Sequence, residues 1–125
     1  MTTTGRPPDG FHTLTTRVVV ADVAAQVAFL RATFDAEGDI VAGRPVELRI
    51  GDSLIMITEA GERELFPGFL YVYVDDADAT YERAVRAGAS TIEAPLDTAY
   101  GDRRAMVRDV FGNLFQIAHR LDRPQ

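Results

Sequence analysis

Side chains that could hold a ligand recur at every second position in several short segments of this sequence. In the segment FLYVYV the odd positions are aromatic, at Phe69, Tyr71 and Tyr73, whereas the even positions are aliphatic. Alternation with a period of two is typical of a β-strand with two different faces. We expect the aliphatic face to pack under a helix and the aromatic face to stack on a planar ligand or to close the sheet.

The other predicted strands divide in the same way. The face opposite the helices combines aromatic rings, thioethers, an amide and guanidinium groups. It is neither uniformly charged, as a solvated face would be, nor entirely apolar, as a core would be. This composition predicts the lining of a cleft. The predicted ligand-binding residues are Thr15, Arg17, Met56, Phe69, Tyr71, Tyr73, Arg104, Met106 and Gln116.

Arg17 is the most informative of these residues. A guanidinium on a largely apolar face costs free energy unless it is paired or hydrated. Arg17 is therefore expected either to anchor a carboxylate, phosphate or carbonyl group of a ligand, or to form a buried ion pair with Glu47 or with an acidic residue of the other half of the chain. The sequence leaves both alternatives open.

Several kinds of catalytic site are excluded or unsupported. The chain has no cysteine, which excludes disulfides, thiolate nucleophiles and zinc–thiolate sites. His12 and His119 lie at the ends of predicted elements and are read as surface or capping residues. No Ser–His–Asp arrangement, phosphate-binding loop or dinucleotide fingerprint is present. The catalytic residues stay unassigned and no cofactor is predicted; an enzyme would need a general base at the cleft, such as Glu47 or Tyr73 with a shifted pKa.

Charge and composition limit the partners. The chain of 125 residues carries a net charge of −6 and has a pI near 4.8. Such a chain lacks the basic footprint on which binding to nucleic acid or anionic membrane depends. It also lacks a signal peptide and any apolar run of membrane-spanning length. We therefore expect a cytoplasmic protein with no nucleic-acid or membrane partner.

The predicted elements follow the order strand, helix, three strands, and then the same order again. The best local match between the halves pairs RVVVADVAAQVAFLRATFDAEG with LYVYVDDADATYERAVRAGA. This indicates an α+β fold in which residues 1–10 form a flexible tail, 11–60 a first module, 61–67 a linker and 68–121 a second module. Each half alone would be marginally stable, so the halves should share one core or pair with a second chain.

Three segments carry a family resemblance: GFHTLTTRVVVADVAAQVAFLRATFDAEG, RIGDSLIMI and DTAYGDRRAMVRDVFGNLFQIAH. They resemble the vicinal oxygen chelate superfamily, which includes glyoxalase I, extradiol dioxygenases, fosfomycin-resistance enzymes and bleomycin-binding resistance proteins. The likeness is greatest to its glyoxalase-like, phosphonate-metabolism-type group. The resemblance implies two βαβββ modules that form a U-shaped mixed sheet around a cleft, commonly in a homodimer.

The resemblance also implies four positions at which metal-dependent relatives hold His or Glu ligands. In this chain those positions carry Thr15, Met56, Phe69 and Gln116. A divalent metal needs three or four good donors, and these side chains do not supply them. The chain further reads DVFGN where the group often has Asp-Pro-Phe-Gly-His. No metal site is therefore predicted.

These observations favour a metal-independent small-molecule binding protein of the glyoxalase/bleomycin-resistance type, which sequesters a planar drug or metabolite and forms a homodimer. Two alternatives stay open. One is a glyoxalase-like lyase or isomerase with a non-standard site. The other is a degenerate domain that acts through its dimer interface.

Overall fold

The computed structural model describes residues 5–122 and contains two helices and seven strands. The elements of the first half are β1 (Thr16–Val20), α1 (Val23–Phe34), β2 (Val46–Ile50) and β3 (Ser53–Glu59). Those of the second half are β4 (Phe69–Tyr73), α2 (Ala77–Arg86), β5 (Ser90–Asp97), β6 (Asp102–Arg108) and β7 (Leu114–Arg120). This is the predicted α+β fold, consistent with two βαβββ modules.

Both helices begin at an aspartate, Asp22 or Asp76, a residue type whose place before a helical pattern predicts an N-cap. The carboxylate of Asp22 accepts a hydrogen bond from the backbone N–H of Ala25 at 3.0 Å, and that of Asp76 accepts one from Ala79 at 3.1 Å. Each bond satisfies a backbone donor that the first helical turn leaves without a partner. The same local signal thus starts the helix in both modules.

The strands form two sheets. The first has the order β1-β3-β2, and the second has the order β4-β7-β6-β5. In each sheet the strand before the helix is parallel to the last strand of its module, in β1 with β3 and in β4 with β7. β1 and β4 therefore occupy corresponding edges of the two sheets.

The segment between α1 and β2 differs from the sequence expectation of a short strand. Only one antiparallel bridge forms there, between Glu37 and Arg49. Gly38 has a φ of 140°, and a Cβ at that position would collide with the backbone oxygen of Glu47. Pro45 lacks the N–H that a ladder requires. The close approach and the missing donor reduce the strand to a single bridge.

Both helices pack on the same side of the two sheets. The rings of Phe29 and Phe34 on α1 lie 5.9 and 5.4 Å from the ring of Phe115 on β7, so the helix of the first module contacts the sheet of the second. The buried side chains of both modules form one continuous core, which includes Val18, Leu48 and Ile57. In the part of the chain that the structure describes, the opposite side of each sheet carries no helix.

A buried polar network joins the two modules. Gln26 of α1 donates to the Asp109 carboxylate at 3.0 Å, and Asn113 donates to the Gln26 carbonyl oxygen at 2.7 Å. Asn113 in turn accepts from the backbone N–H of Gly68 at 2.7 Å. Because each side-chain group has partners, burial of this carboxylate and these amides is tolerated.

Within the described residues, neither helix is long and apolar enough to cross a bilayer.

Candidate functional site

The side of the second sheet that carries no helix brings six of the predicted ligand-binding residues together. The register places Tyr71 beside Gln116 and Gln116 beside Met106, so these three side chains form a row across β4, β7 and β6. Phe69 and Tyr73 lie on either side of Tyr71 along β4. Arg104 lies next to Met106 on the same face of β6. In β4, β6 and β7 the side chains predicted for the face opposite the helices therefore lie on that face.

The aromatic side chains of β4 are exposed. The exposed fractions are 64% for Phe69, 38% for Tyr71 and 59% for Tyr73. The Tyr71 and Tyr73 rings lie 5.3 Å apart with an interplanar angle of 54°. Three adjacent exposed rings on one strand offer a stacking surface of a kind that monomeric proteins usually cover.

The other three predicted residues lie on the first sheet. Arg17 and Met56 are register partners on β1 and β3, and Thr15 directly precedes β1. A cavity of about 440 Å³ is lined by Arg17 but by none of the six residues on the second sheet. The structure therefore places the nine predicted residues in two groups on two sheets.

A cavity of about 330 Å³ separates the edges of the two sheets. β1 is bonded to the segment before β4 by a pair of hydrogen bonds between the backbones of Val19 and Phe66, at 2.9 and 3.1 Å, whereas β1 and β4 themselves belong to different sheets. The cavity that results is lined by Tyr71 and Tyr73 and by apolar side chains on the core side of both sheets. Its other lining residues are Thr16, Ile50, Gly51, Asp52, Ser53, Leu54, Ile55, Leu70 and Val72.

Asp102 organises the tyrosines of β4. Its side chain has no exposed surface, and its Oδ2 accepts hydrogen bonds from the hydroxyls of Tyr71 at 2.6 Å and Tyr73 at 2.8 Å. Its Oδ1 accepts from Arg120 Nη1 at 2.8 Å. Gly101 has a φ of 96°, a backbone conformation that favours glycine, and a Cβ there would come within 2.9 Å of the Arg120 guanidinium.

These contacts shift the pKa values of the acidic groups. Burial alone would raise the pKa of Asp102, but the hydrogen bonds from Tyr71, Tyr73 and Arg120 outweigh it and lower that pKa. Burial, followed by the hydrogen bond to Asp102, raises the pKa of the Tyr71 hydroxyl far above its ordinary value. The hydrogen bond to Asp102 also raises the pKa of Tyr73. Both tyrosines are thus held in their protonated form.

Tyr100 belongs to the same cluster. Its hydroxyl lies 3.1 Å from the Tyr71 hydroxyl and accepts a hydrogen bond from Arg104 Nη1 at 3.0 Å. Arg104 also forms an ion pair with Glu93 on β5. The hydrogen bond to Tyr71 lowers the pKa of Tyr100, and Arg104 acts in the same direction.

The sequence did not assign Tyr100, Asp102, Arg120 or Glu93 to the binding face. The sequence pattern predicts that Tyr100 and Asp102 lie on a loop that could cover the cleft, whereas Asp102 is the first residue of β6. The alternation of faces along a strand could have identified two of them, because Asp102 is two residues from Arg104 and Arg120 is four residues from Gln116.

Arg17 is exposed, and its Nε donates to Thr58 Oγ1 at 2.9 Å. In the described part of the chain it forms no ion pair, and Glu47 instead pairs with Arg44 at 2.6 Å. The buried ion pair with Glu47 that the sequence left open is therefore absent between these residues. The Arg17 side chain alternates along β1 with the buried Val18 and therefore lies on the face opposite the core.

The general bases considered from the sequence have other partners. The raised pKa of Tyr73 makes its phenolate less available, which is the reverse of what a base requires. The carboxylate of Glu47 is paired with Arg44. His119 Nδ1 accepts a hydrogen bond from the backbone N–H of Ala77 at 2.8 Å, and His12 Nε2 lies 3.1 Å from the carbonyl oxygen of Asp52. Both histidines thus have backbone partners.

The four positions that correspond to metal ligands in relatives do not suit a divalent metal here. Thr15 and Met56 lie with the first sheet, and Phe69 and Gln116 lie on the second. A phenyl ring cannot ligate, and a hydroxyl, a thioether and an amide are weak donors. Across residues 5–122, no three His, Cys, Asp or Glu side chains come together as a group that could hold a metal.

Known proteins share this fold over most of its length. TioX from Micromonospora sp. ML1 superposes with a TM-score of 0.75 at 22% identity, covering 88% of this chain and 99% of TioX. A glyoxalase/bleomycin resistance protein/dioxygenase family enzyme from Burkholderia phytofirmans PsJN superposes with a TM-score of 0.72 at 24% identity, covering 86% of this chain and 97% of the enzyme. These likenesses show the fold.

Sequence comparison gives the family. The uncharacterized protein Rv0887c of Mycobacterium tuberculosis H37Rv is 29% identical over 125 residues, covering 83% of this chain and 72% of the relative. A family model described as Glyoxalase/Bleomycin resistance protein/Dioxygenase superfamily matches residues 10–117. The phosphonate-metabolism-type subgroup stays a prediction. Because the family model matches most of the sequence, the chain belongs to the glyoxalase/bleomycin resistance protein/dioxygenase superfamily, the family that its motifs resemble.

Proposed function

We propose that this chain is a metal-independent binding protein of the cytoplasm, which sequesters a planar small molecule between two copies of itself. The observation that carries the proposal is the exposed aromatic strand β4 on a sheet face without a helix. Stacking needs flat, rigid rings with little rotamer freedom, and Phe69, Tyr71 and Tyr73 provide them.

The placement of the nine predicted residues supports a role for the second copy. The helices and the inner faces of both sheets form one core. The two groups of predicted residues lie on the outer faces of the two sheets, so within one chain the core separates them. A second copy related by two-fold symmetry can place its first sheet opposite the second sheet of its partner. Arg17, Met56 and Thr15 of one copy would then face the aromatic strand of the other.

Arg17 defines the chemistry of the ligand. Among residues 5–122, its hydrogen-bond partner is the hydroxyl of Thr58, whereas Arg104 and Arg120 are paired with carboxylates. In the proposed dimer Arg17 of one copy would lie opposite the aromatic rings of the other, and this pairing suits a planar molecule that carries a carboxylate or another acceptor oxygen. Members of this superfamily are named for bleomycin resistance, and sequestration requires no further chemistry than this.

Binding is tested by a thermal-shift screen of planar aromatic acids and planar antibiotics, with bleomycin included. We expect hits that are lost in Phe69→Ala and retained in Tyr81→Phe, because Tyr81 lies on α2 with its hydroxyl 2.7 Å from Thr91. Hits that keep full strength in Phe69→Ala would place binding elsewhere. Sedimentation of the unliganded protein gives the oligomeric state, and a monomer at all concentrations contradicts the dimer.

Mixing two inactive variants tests the shared cleft directly. Arg17→Met removes a proposed ligand contact from the first sheet, and Phe69→Ala removes one from the second sheet. If each cleft combines the two sheets of different copies, a heterodimer of these variants has one cleft with both residues intact. Random exchange of subunits should then restore about a quarter of the binding sites. If each cleft is built within one chain, mixing restores none.

A further inference from the structure

Tyr100 is the tyrosine of the aromatic face whose hydroxyl oxygen lies beside a guanidinium donor instead of a carboxylate. Its side chain is 55% exposed, and it lies in the turn before β6. Tyr71 directs its single hydroxyl proton to Asp102 at 2.6 Å, so Tyr100 is the donor in the 3.1 Å contact between the two hydroxyls. The Tyr100 oxygen accepts from Arg104.

This arrangement can hold Tyr100 without its proton. Arg104 already places a cationic donor 3.0 Å from the Tyr100 oxygen. When Tyr100 loses its proton, Tyr71 can rotate its own hydroxyl from Asp102 toward the phenolate. Asp102 still accepts hydrogen bonds from Tyr73 and Arg120, so the buried carboxylate keeps two donors.

The electrostatics agree with this geometry. The hydrogen bond that Tyr71 can donate to the Tyr100 phenolate, together with the neighbouring Arg104, lowers the pKa of Tyr100, although partial burial opposes them. The pKa values of Tyr71 and Tyr73 move in the opposite direction. The charged groups around Tyr100 are Arg104 and Asp102 of β6, Glu93 of β5 through its ion pair with Arg104, and Arg120 of β7 through the backbone oxygen of Tyr100.

We propose that Tyr100 exchanges a proton with a planar ligand bound on the aromatic face of β4. The phenolate form takes a proton from an acidic C–H or O–H group at the edge of the ligand, and the neutral phenol returns it to water or to another atom of the ligand. The ligand is thus a planar molecule with an ionisable group or an acidic carbon. This inference rests on the proposed binding at the same face and adds proton transfer to it.

The first experiment measures ionisation of the tyrosines without any ligand. The near-ultraviolet absorbance of tyrosinate is recorded against pH for the wild type, Tyr100→Phe, Arg104→Met and Arg104→Lys, with Tyr81→Phe as the matched control. We expect one tyrosine of the wild type to ionise below the ordinary midpoint of about 10. Tyr100→Phe removes this transition, Arg104→Met moves it to higher pH, and Arg104→Lys and Tyr81→Phe keep it. If the titration curves of the wild type and Tyr100→Phe have the same shape at their low-pH end, the proposal is overturned.

The second experiment uses nitrobenzisoxazole, a planar carbon acid that reports proton abstraction. A base removes the proton on the ring carbon next to nitrogen, the C–H electrons complete a nitrile, and the N–O bond breaks to release a coloured phenolate. We expect a saturable rate that rises with the same midpoint as the Tyr100 transition. Tyr100→Phe should lower it roughly a hundredfold or more, as for loss of a general base. Tyr81→Phe should leave it unchanged.

The two readouts separate the possible failures. A saturating rate that is equal in the wild type and Tyr100→Phe means that the probe binds but that Tyr100 does not take its proton, which overturns this inference and leaves the proposed binding intact. A rate that never saturates, combined with no thermal shift by the planar compounds, contradicts the proposed binding face itself. A low-pH transition that is specific to Tyr100, with a saturable rate that shares its midpoint, supports both.

Discussion

Tyr71 donates its hydroxyl proton to Asp102 Oδ2 over 2.6 Å, and this bond passes over the strand that separates the two residues in the sheet. On the strand between them, β7, Tyr71 pairs with Gln116 and Asp102 pairs with Arg120, and Ala118 lies midway between these two partners on the same face. The small side chain leaves room for the tyrosine rings to lean across β7. The aromatic surface therefore has a buried anionic anchor.

Asp102→Asn should lower the free energy of unfolding by about 1–3 kcal/mol, because the amide cannot accept from two tyrosines and an arginine as the carboxylate does. Urea denaturation measures the change. Tyr73→Phe, which removes one of the three donors, should cost less. Equal stability of Asp102→Asn and the wild type would show that the carboxylate is not an anchor.

The contribution of Asp102 to the free energy of unfolding should depend on pH. Its pKa is lowered in the folded protein, so its stabilisation is present above its unfolded value of 3.8 and is lost as pH falls toward the lower folded value. The stability difference between the wild type and Asp102→Asn should therefore be constant near neutral pH and shrink below about pH 4. Urea titrations at a series of pH values give this difference, and one that grows on acidification contradicts the prediction.

Arg17→Met should weaken ligand binding by roughly 1.5–3 kcal/mol, the value of a charged hydrogen bond. Because Arg17 is exposed and its side chain donates a single hydrogen bond within the described part of the chain, to Thr58 Oγ1, the free energy of unfolding should change by less than about 0.5 kcal/mol. Calorimetry with a hit from the screen gives the affinity, and urea denaturation gives the stability. A large loss of stability with normal affinity would reverse this assignment.

Chelation should leave the melting temperature unchanged, and purified protein should hold no stoichiometric zinc, nickel, iron or manganese. Thr15, Met56, Phe69 and Gln116 supply no set of donors whose binding energy could be coupled to folding. Elemental analysis and a melting curve with and without a chelator make the measurement. One tightly held equivalent of metal would contradict the metal-free interpretation.

Gln26→Leu should destabilise the fold by about 1–3 kcal/mol although it adds apolar volume, because it leaves Asp109 and Asn113 short of buried partners. Urea denaturation is again the measurement. Asp22→Asn is a suitable comparison, since asparagine caps a helix as well as aspartate does and should cost little. A cost for Gln26→Leu no larger than that of this comparison would show that the network does not join the modules.

The sequence by itself determined the features that depend on neighbours along the chain. Period-two alternation assigned the faces of β4, β6 and β7, Asp22 and Asp76 marked the starts of both helices, and the repeat of elements predicted the two modules. The sequence also showed that the four positions implied for metal ligands carry unsuitable donors, because the ability to bind a metal depends on residue type. The module and linker boundaries stay predictions.

The tertiary structure alone decided which distant side chains meet. Local pattern placed Arg17 and Phe69 on faces of the same kind but could not say that their sheets lie on opposite sides of the β1–β4 gap in one chain. It also gave no sign that Asp102 would be hidden behind Tyr71 and Tyr73, since that contact requires β7 to lie between their strands with Ala118 at the crossing. Strand order and register are set by the packing of the whole core, and a period of two along one strand does not encode its neighbour.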